Sequence, residues 1–88
     1  MINVKVIYIG ILADISGKSI EYLNIPEDTS IESLIAIICE KNGLLRDWLS
    51  KAPLVHISVN GVDATTRREI ILRDGDEVVL STPLYEGG

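Results

Sequence analysis

The 88-residue chain has one cysteine, Cys39, and one histidine, His56, so little of the usual catalytic and metal-binding chemistry is open to it. A lone cysteine excludes an internal disulfide and a CxxC metal pair, and it fits a reducing cytoplasm. Basic residues are scarce: 8 Lys and Arg stand against 13 Asp and Glu, for a net charge of −5. Arg67-Arg68 is the only adjacent basic pair. Nucleic-acid binding needs clustered cations to neutralise phosphates, so no nucleic-acid ligand is expected. An acidic surface suits a basic protein partner better. No apolar run approaches the length that crosses a bilayer. The opening residues lack the charged start, apolar run and cleavage site of a signal peptide. No membrane association and a cytoplasmic location are therefore the expectation. Internal repeats and low-complexity segments are also lacking.

The chain does have enough apolar residues for one compact core, at 47% of the composition. A domain of this size buries a limited fraction of its surface. A core and a deep substrate cleft compete for the same residues, which favours a binding module or carrier over a free-standing enzyme.

The order of elements is legible from periodicity and punctuation. Residues 3–10 read as an apolar, β-branched strand. Ser16-Gly17 reads as the turn of a hairpin leading to a second strand over residues 19–25, which Pro26 ends. Thr29-Ser30-Ile31-Glu32 reads as a capping box with Thr29 as the cap. Ile31, Leu34, Ile35 and Ile38 then form one apolar stripe of a helix over residues 30–41. Asn42-Gly43 reads as its left-handed stop. Residues 44–51 read as a short helical turn with Leu45, Trp48 and Leu49 inward. Residues 54–59 alternate as a strand up to the tight turn Asn60-Gly61. A short strand is expected over 69–72, a turn at Asp74-Gly75-Asp76 and a last strand over 77–82.

A hairpin, one good helix and further strands pack as a sheet with the helix across one face. The expected fold is therefore α+β, a β-grasp of about five strands in a mixed sheet. Its first and last strands would lie parallel in the middle. The expected organisation is one domain over 1–82 and a mobile tail over 83–88 that ends in Gly87-Gly88.

The tail is where chemistry is expected. Gly87 and Gly88 carry no side chains, so their backbone passes through a slot too narrow for other residues. The terminal carboxylate is a handle that can be adenylated and then attacked by a nucleophile. On its own a Gly-Gly end reads first as ordinary fraying. Cys39, near the apolar stripe, reads as a small buried hydrophobe. His56 alternates away from Val55 and Ile57 and reads as exposed. Asp74, Asp76 and Glu77 read as turn residues and not as metal ligands. Ile7 and Ile9, with Val79 beside them, are candidates for an apolar docking patch on the sheet face away from the helix. The alternative is that the short helix over 44–51 covers part of that surface.

The run Leu72-Arg73-Asp74-Gly75-Asp76-Glu77-Val78, then Pro83, then Gly87-Gly88, resembles the C-terminal signature of the MoaD/ThiS sulfur-carrier family. Val59-Asn60-Gly61 resembles the turn ahead of that signature, and the opening strand with Leu12 and Gly17 resembles the family's start. The resemblance covers nearly the whole chain and is nearest to the small subunit of molybdopterin synthase, because the thiamine carriers lack a segment like 44–52. It implies that an adenylating enzyme of the ubiquitin-activating type (MoeB-like) uses ATP and magnesium to activate the Gly88 carboxylate. Sulfur transfer then yields a thiocarboxylate. It implies that Pro83, Leu84, Tyr85, Glu86 and Gly87 contact partners, the chief one being the large, MoaE-like synthase subunit. No bound cofactor, no metal and no catalytic activity of the chain's own are implied. A ubiquitin-like modifier joined to lysines through Gly88, a thiamine-type or tRNA-thiolation carrier, and a plain β-grasp interaction module are the alternatives.

Overall fold

The computed structural model describes residues 1–51 and 54–83. The first strand, β1 (Ile2–Tyr8), alternates buried Ile2, Val4, Val6 and Tyr8 with more exposed Asn3, Lys5 and Ile7. No tight hairpin follows it. A short helix, α1 (Ile11–Ser16), stands between the first two strands and buries Leu12. It starts after Gly10 at φ 65° and closes on Gly17 in the left-handed region at φ 80°. These are positions where an L side chain is strained. Ser16-Gly17 thus ends a helix and does not form a hairpin turn. Leu12 gives the connection something to bury, while Ile11 stays exposed, and the punctuation alone concealed this.

Strand β2 (Ile20–Ile25) pairs antiparallel with β1, Val4 opposite Leu23. Helix α2 (Ile31–Lys41) buries Ile31, Leu34 and Ile38. Its cap is Ser30 and not Thr29: the Ser30 hydroxyl accepts from the Ser33 N–H at 3.1 Å. The Thr29 hydroxyl instead donates to the Pro26 carbonyl. Glu32 does not reach back to a cap but accepts from Arg68 at 3.0 Å. Asn42 is extended at φ −141°, so it is no left-handed stop. Its side-chain oxygen accepts from the Leu45 N–H at 3.1 Å, which starts helix α3 (Gly43–Lys51) directly.

Strand β3 (His56–Val59) and the two-residue β4 (Val62–Asp63) are joined through Asn60 and Gly61, both at positive φ. The stretch 69–72 is not a strand. Only Ile71 pairs, as a single bridge to Ser30. The first N–H groups of a helix lack intrahelical partners, and this segment supplies them. Ile31 N–H donates to the Ile70 carbonyl at 3.0 Å and Glu32 N–H to the Arg68 carbonyl at 3.1 Å. The last strand, β5 (Glu77–Ser81), pairs parallel with β1 and antiparallel with β3. The sheet order is β2-β1-β5-β3-β4, mixed and five-stranded.

One core joins the layers. Val4, Val6, Tyr8, Leu23, Ile25, Ile57, Val78 and Leu80 of the sheet cluster with Leu12, Leu34, Ile38 and Leu45 of the three helices. Burying each such side chain contributes roughly 1.5–3 kcal/mol. At the edge of this core the Tyr8 hydroxyl donates to Glu21 at 2.8 Å, and Lys18 and Lys41 close on the same carboxylate at 3.4 and 3.2 Å. β1, β2, α2 and the end of α1 are thereby tied at one point.

Candidate functional site

The expected site has three parts: the Gly88 end, the segment leading to it and an apolar sheet face. The structure brings together part of the last two. Apart from Pro83, the tail expected over 83–88 lies outside the described residues, and with it Leu84, Tyr85, Glu86, Gly87 and Gly88. What the fold fixes is the root of the tail. Strand β5 is flanked by β1 and β3 and ends at Ser81, so Thr82 and Pro83 leave from the middle of the sheet.

Ile9, Gly10, Ile11, His56, Ser81, Thr82 and Pro83 line a cleft of about 410 Å³ at this root. Ile9 is 50% exposed there, and its N–H donates to the Leu80 carbonyl at 3.0 Å, which extends the β1–β5 ladder by one bond. His56 is exposed on β3 opposite Ser81.

Ile7 and Val79 are register partners across the central parallel pair, both half-buried on the face turned away from the core. The register continues the row on both sides, from Ile20 through Ile7 and Val79 to Ser58. Ile20 is 44% exposed, and Tyr22 in the next row is 73% exposed beside Lys5. The Lys5–Glu77 ion pair, at 3.5 Å, bounds the apolar row. Helix α3 does not cover this face, because Leu45 joins the cluster that includes α2 and the opposite side of the sheet. Ile7 and Val79 therefore belong to one apolar row on the open sheet face, and Ile9 belongs to the cleft at the tail root. Ile20 and Tyr22 were missed. Their alternation was visible in the sequence, but only the pairing register puts them beside Ile7.

The motif residues ahead of the tail act through the backbone. Asp74 accepts from the Asn3 N–H at 2.7 Å, and the Gly75 N–H donates to the Asn3 carbonyl at 2.7 Å. Gly75 holds φ 86°, which glycine adopts without strain. Asp76 accepts from the Arg73 N–H at 2.7 Å and from the Asn60 amide at 2.8 Å. The turn thus fixes the start of β5 against β1 and the β3–β4 turn. Among the described residues, no group of three or more His, Cys, Asp and Glu is placed to hold a metal ion. No helix among them is long and apolar enough to cross a membrane.

Cys39 is half-buried and not fully enclosed. It lines a cleft of about 240 Å³ with Ile35, Leu49, Val55, Arg46 and Arg68. Burial pushes its thiol pKa up, and the nearby Arg46 charge offsets this in part. It is therefore a thiol at neutral pH, not the thiolate that a sulfur relay needs.

No protein-family model and no curated protein sequence matches the chain. Solved structures match it in fold. Putative molybdopterin converting factor subunit 1 from Pyrococcus furiosus is 24% identical with a TM-score of 0.81, covering 96% of this chain and 100% of that one. Small archaeal modifier protein 1 from Methanosarcina acetivorans is 21% identical with a TM-score of 0.82, covering 100% and 98%. A complex of subunits 1 and 2 of the molybdopterin-converting factor from Helicobacter pylori supplies a match at 21% identity and TM-score 0.68, covering 98% and 100%. With its parallel β1–β5 pair at the centre of a mixed sheet and its helices on one face, the chain has the ubiquitin-like β-grasp fold that the order of its elements implied.

Proposed function

We propose that this chain is a sulfur carrier that works through the Gly88 carboxylate and serves molybdopterin synthesis. What supports the reading most is one juxtaposition. The motif Asp74-Gly75-Asp76-Glu77-Val78 anchors β5 beside β1, and β5 then releases Thr82 and Pro83, which precede Gly87-Gly88 in the sequence, from the middle of the sheet. A β-grasp matched over 96% of its length by a putative converting-factor subunit 1 agrees with that assignment.

The chemistry then runs at one atom group. A carboxylate oxygen of Gly88 attacks the α-phosphorus of ATP within an adenylating enzyme of the ubiquitin-activating type, and magnesium pyrophosphate leaves. Hydrosulfide from the sulfur donor attacks the acyl carbon, the acyl–phosphate bond breaks and AMP leaves, which gives the thiocarboxylate with no change of oxidation state. The large synthase subunit then receives the tail. Docking of the two proteins uses the Ile7, Ile20, Val79 and Tyr22 face. The subunit 1 and 2 complex from Helicobacter pylori supports a partner of that kind.

A second reading, a modifier joined to lysines through Gly88, draws support from the similarity to archaeal modifier protein 1. The two differ in the acceptor. Incubation with an adenylating enzyme, ATP, magnesium and a sulfur donor tests the first by intact mass, where one oxygen is exchanged for sulfur. Ladders of lysine conjugates in cell extract, with no sulfur-bearing product, would favour the second.

A further inference from the structure

The helix side of the molecule carries an apolar surface that the sheet face and the tail leave unused. Helix α3 turns Leu45 into the core and packs Trp48 and Leu49 against it. Leu44 lies one turn before Trp48 and outside the core, with Asp47 and Lys51 at the neighbouring i+3 and i+7 positions. Leu44 is 72% exposed and Trp48 half-buried. Helix α1 packs beside α3 and adds Ile15 and Asp14. Together Asp14, Ile15, Leu44, Asp47, Trp48 and Lys51 line an open cleft of about 340 Å³.

A single exposed leucine is ordinary. Three apolar side chains in one cleft with two carboxylates are a more specific arrangement. Asp14 makes no side-chain hydrogen bond or ion pair among the described residues, and Asp47 pairs only with its exposed neighbour Arg46, at 3.8 Å. Asp14 is thus open to a partner, Asp47 is held only by a long, solvent-exposed pair, and the chain's net charge of −5 adds to the local field. Lys51 stands at one end of the rim, so a partner's cations fit at the Asp14 and Asp47 end. We propose that the α1–α3 cleft docks an amphipathic helical segment of a partner protein, with its apolar face on Leu44, Trp48 and Ile15 and its Lys or Arg residues against Asp14 and Asp47. This surface lies on the helices and not on the open sheet face, so its occupation does not depend on the chemistry at Gly88.

The test uses the full chain, labelled with nitrogen-15, and two synthetic helical peptides. Both carry Leu and Trp on one face; one carries Lys on its flanks and the other Glu. The Lys peptide shifts the amide signals of residues 11–16 and 43–51, and added salt weakens it. Reversing both rim charges (Asp14→Lys with Asp47→Lys) weakens it roughly tenfold. Leu44→Ser also weakens it and leaves the near-ultraviolet circular dichroism unchanged. The proposal is overturned if the Lys peptide leaves these signals unmoved, if the shifts centre on Ile7 and Ile20, or if the Glu peptide binds equally well. A concentration-dependent dimer that Leu44→Ser abolishes in sedimentation would overturn it in favour of a second copy of this chain.

Discussion

Asn60 is bonded to Asp76 across the junction of two turns that are distant in sequence. Its amide donates to the Asp76 carboxylate at 2.8 Å, its side-chain oxygen accepts from the Glu77 N–H at 2.9 Å, and its own N–H donates to the Glu77 carbonyl at 2.8 Å. Asn60 also holds φ 53°, a conformation that asparagine tolerates better than most residues. Two sequence motifs of the family resemblance therefore have one physical job, which is to pin the start of the strand that carries the tail.

Asn60→Ala loses two side-chain hydrogen bonds and a residue suited to positive φ, so it costs about 2–3 kcal/mol. For a domain of this size each kcal/mol lowers Tm by roughly 4–8 °C. Asn60→Asp keeps the acceptor but sets a carboxylate against Asp76. Its cost includes this repulsion, which added salt screens. Thermal melts of both variants at low and high salt check this, and a cost for Asn60→Asp that does not change with salt would contradict it.

Glu21 makes stability fall in acid. Burial alone raises its pKa, but the Tyr8 hydroxyl, Lys41 and Lys18 outweigh that and hold it below the usual carboxylate range. A group with a depressed folded pKa stabilises the fold above its unfolded pKa, about 4.3, and loses that contribution as pH falls through the folded value. Tyr8→Phe removes one charge-assisted bond at a half-enclosed site and costs about 1–2 kcal/mol at pH 7. The variant then loses less stability than the parent between pH 5 and 3, as denaturant titrations at a series of pH values can show. Burial and Glu21 together push the Tyr8 hydroxyl pKa far up, so it donates to Glu21 throughout this range.

The cap of α2 separates two local arrangements that look alike in sequence. Ser30→Ala destabilises the fold by about 1 kcal/mol, because the Ser33 N–H loses its acceptor. Glu32→Ala changes stability by less than about 0.5 kcal/mol, since its contact is a surface ion pair with Arg68. Chemical denaturation of the two variants measures both values. A larger loss for Glu32→Ala than for Ser30→Ala would restore the capping box with Thr29 at its head.

The open sheet face gives a prediction about partners. Ile20→Ser and Tyr22→Ser change stability little, because both side chains are exposed at the sheet edge. On docking to a large synthase subunit, each weakens binding by about 1–2 kcal/mol, as measured by calorimetry. Unchanged affinity in both variants would remove this face from the interface.

Much of this was legible in the sequence where a periodic pattern agreed with tertiary packing. The Ile31, Leu34 and Ile38 stripe became the buried face of α2, and the apolar strands became the β1–β5 pair. The misreadings came where several local signals competed. Ser16-Gly17 suits a hairpin turn as well as the end of α1, and only the burial of Leu12 selects the helix. Asn42-Gly43 suits a helix stop, but the Leu45 N–H draws the Asn42 side chain into the next helix. Residues 69–72 have strand-forming side chains, yet the unpaired N–H groups at the start of α2 claim the Ile70 carbonyl and that of Arg68 just before them. The apolar row on the open sheet face was half legible: Ile7 and Val79 read from alternation, while Ile20 and Tyr22 needed a register that no single strand encodes.

The central claim, that Gly88 is an activatable carboxylate, is tested most directly by fragment mass spectrometry of the intact chain after incubation with adenylating enzyme, ATP, magnesium and a sulfur donor. The account predicts one oxygen-to-sulfur exchange confined to the fragment that contains Gly88, and none in a chain lacking Gly87-Gly88. An exchange that maps elsewhere, or an unmodified Gly88 with an enzyme shown to be competent on another carrier, would contradict it.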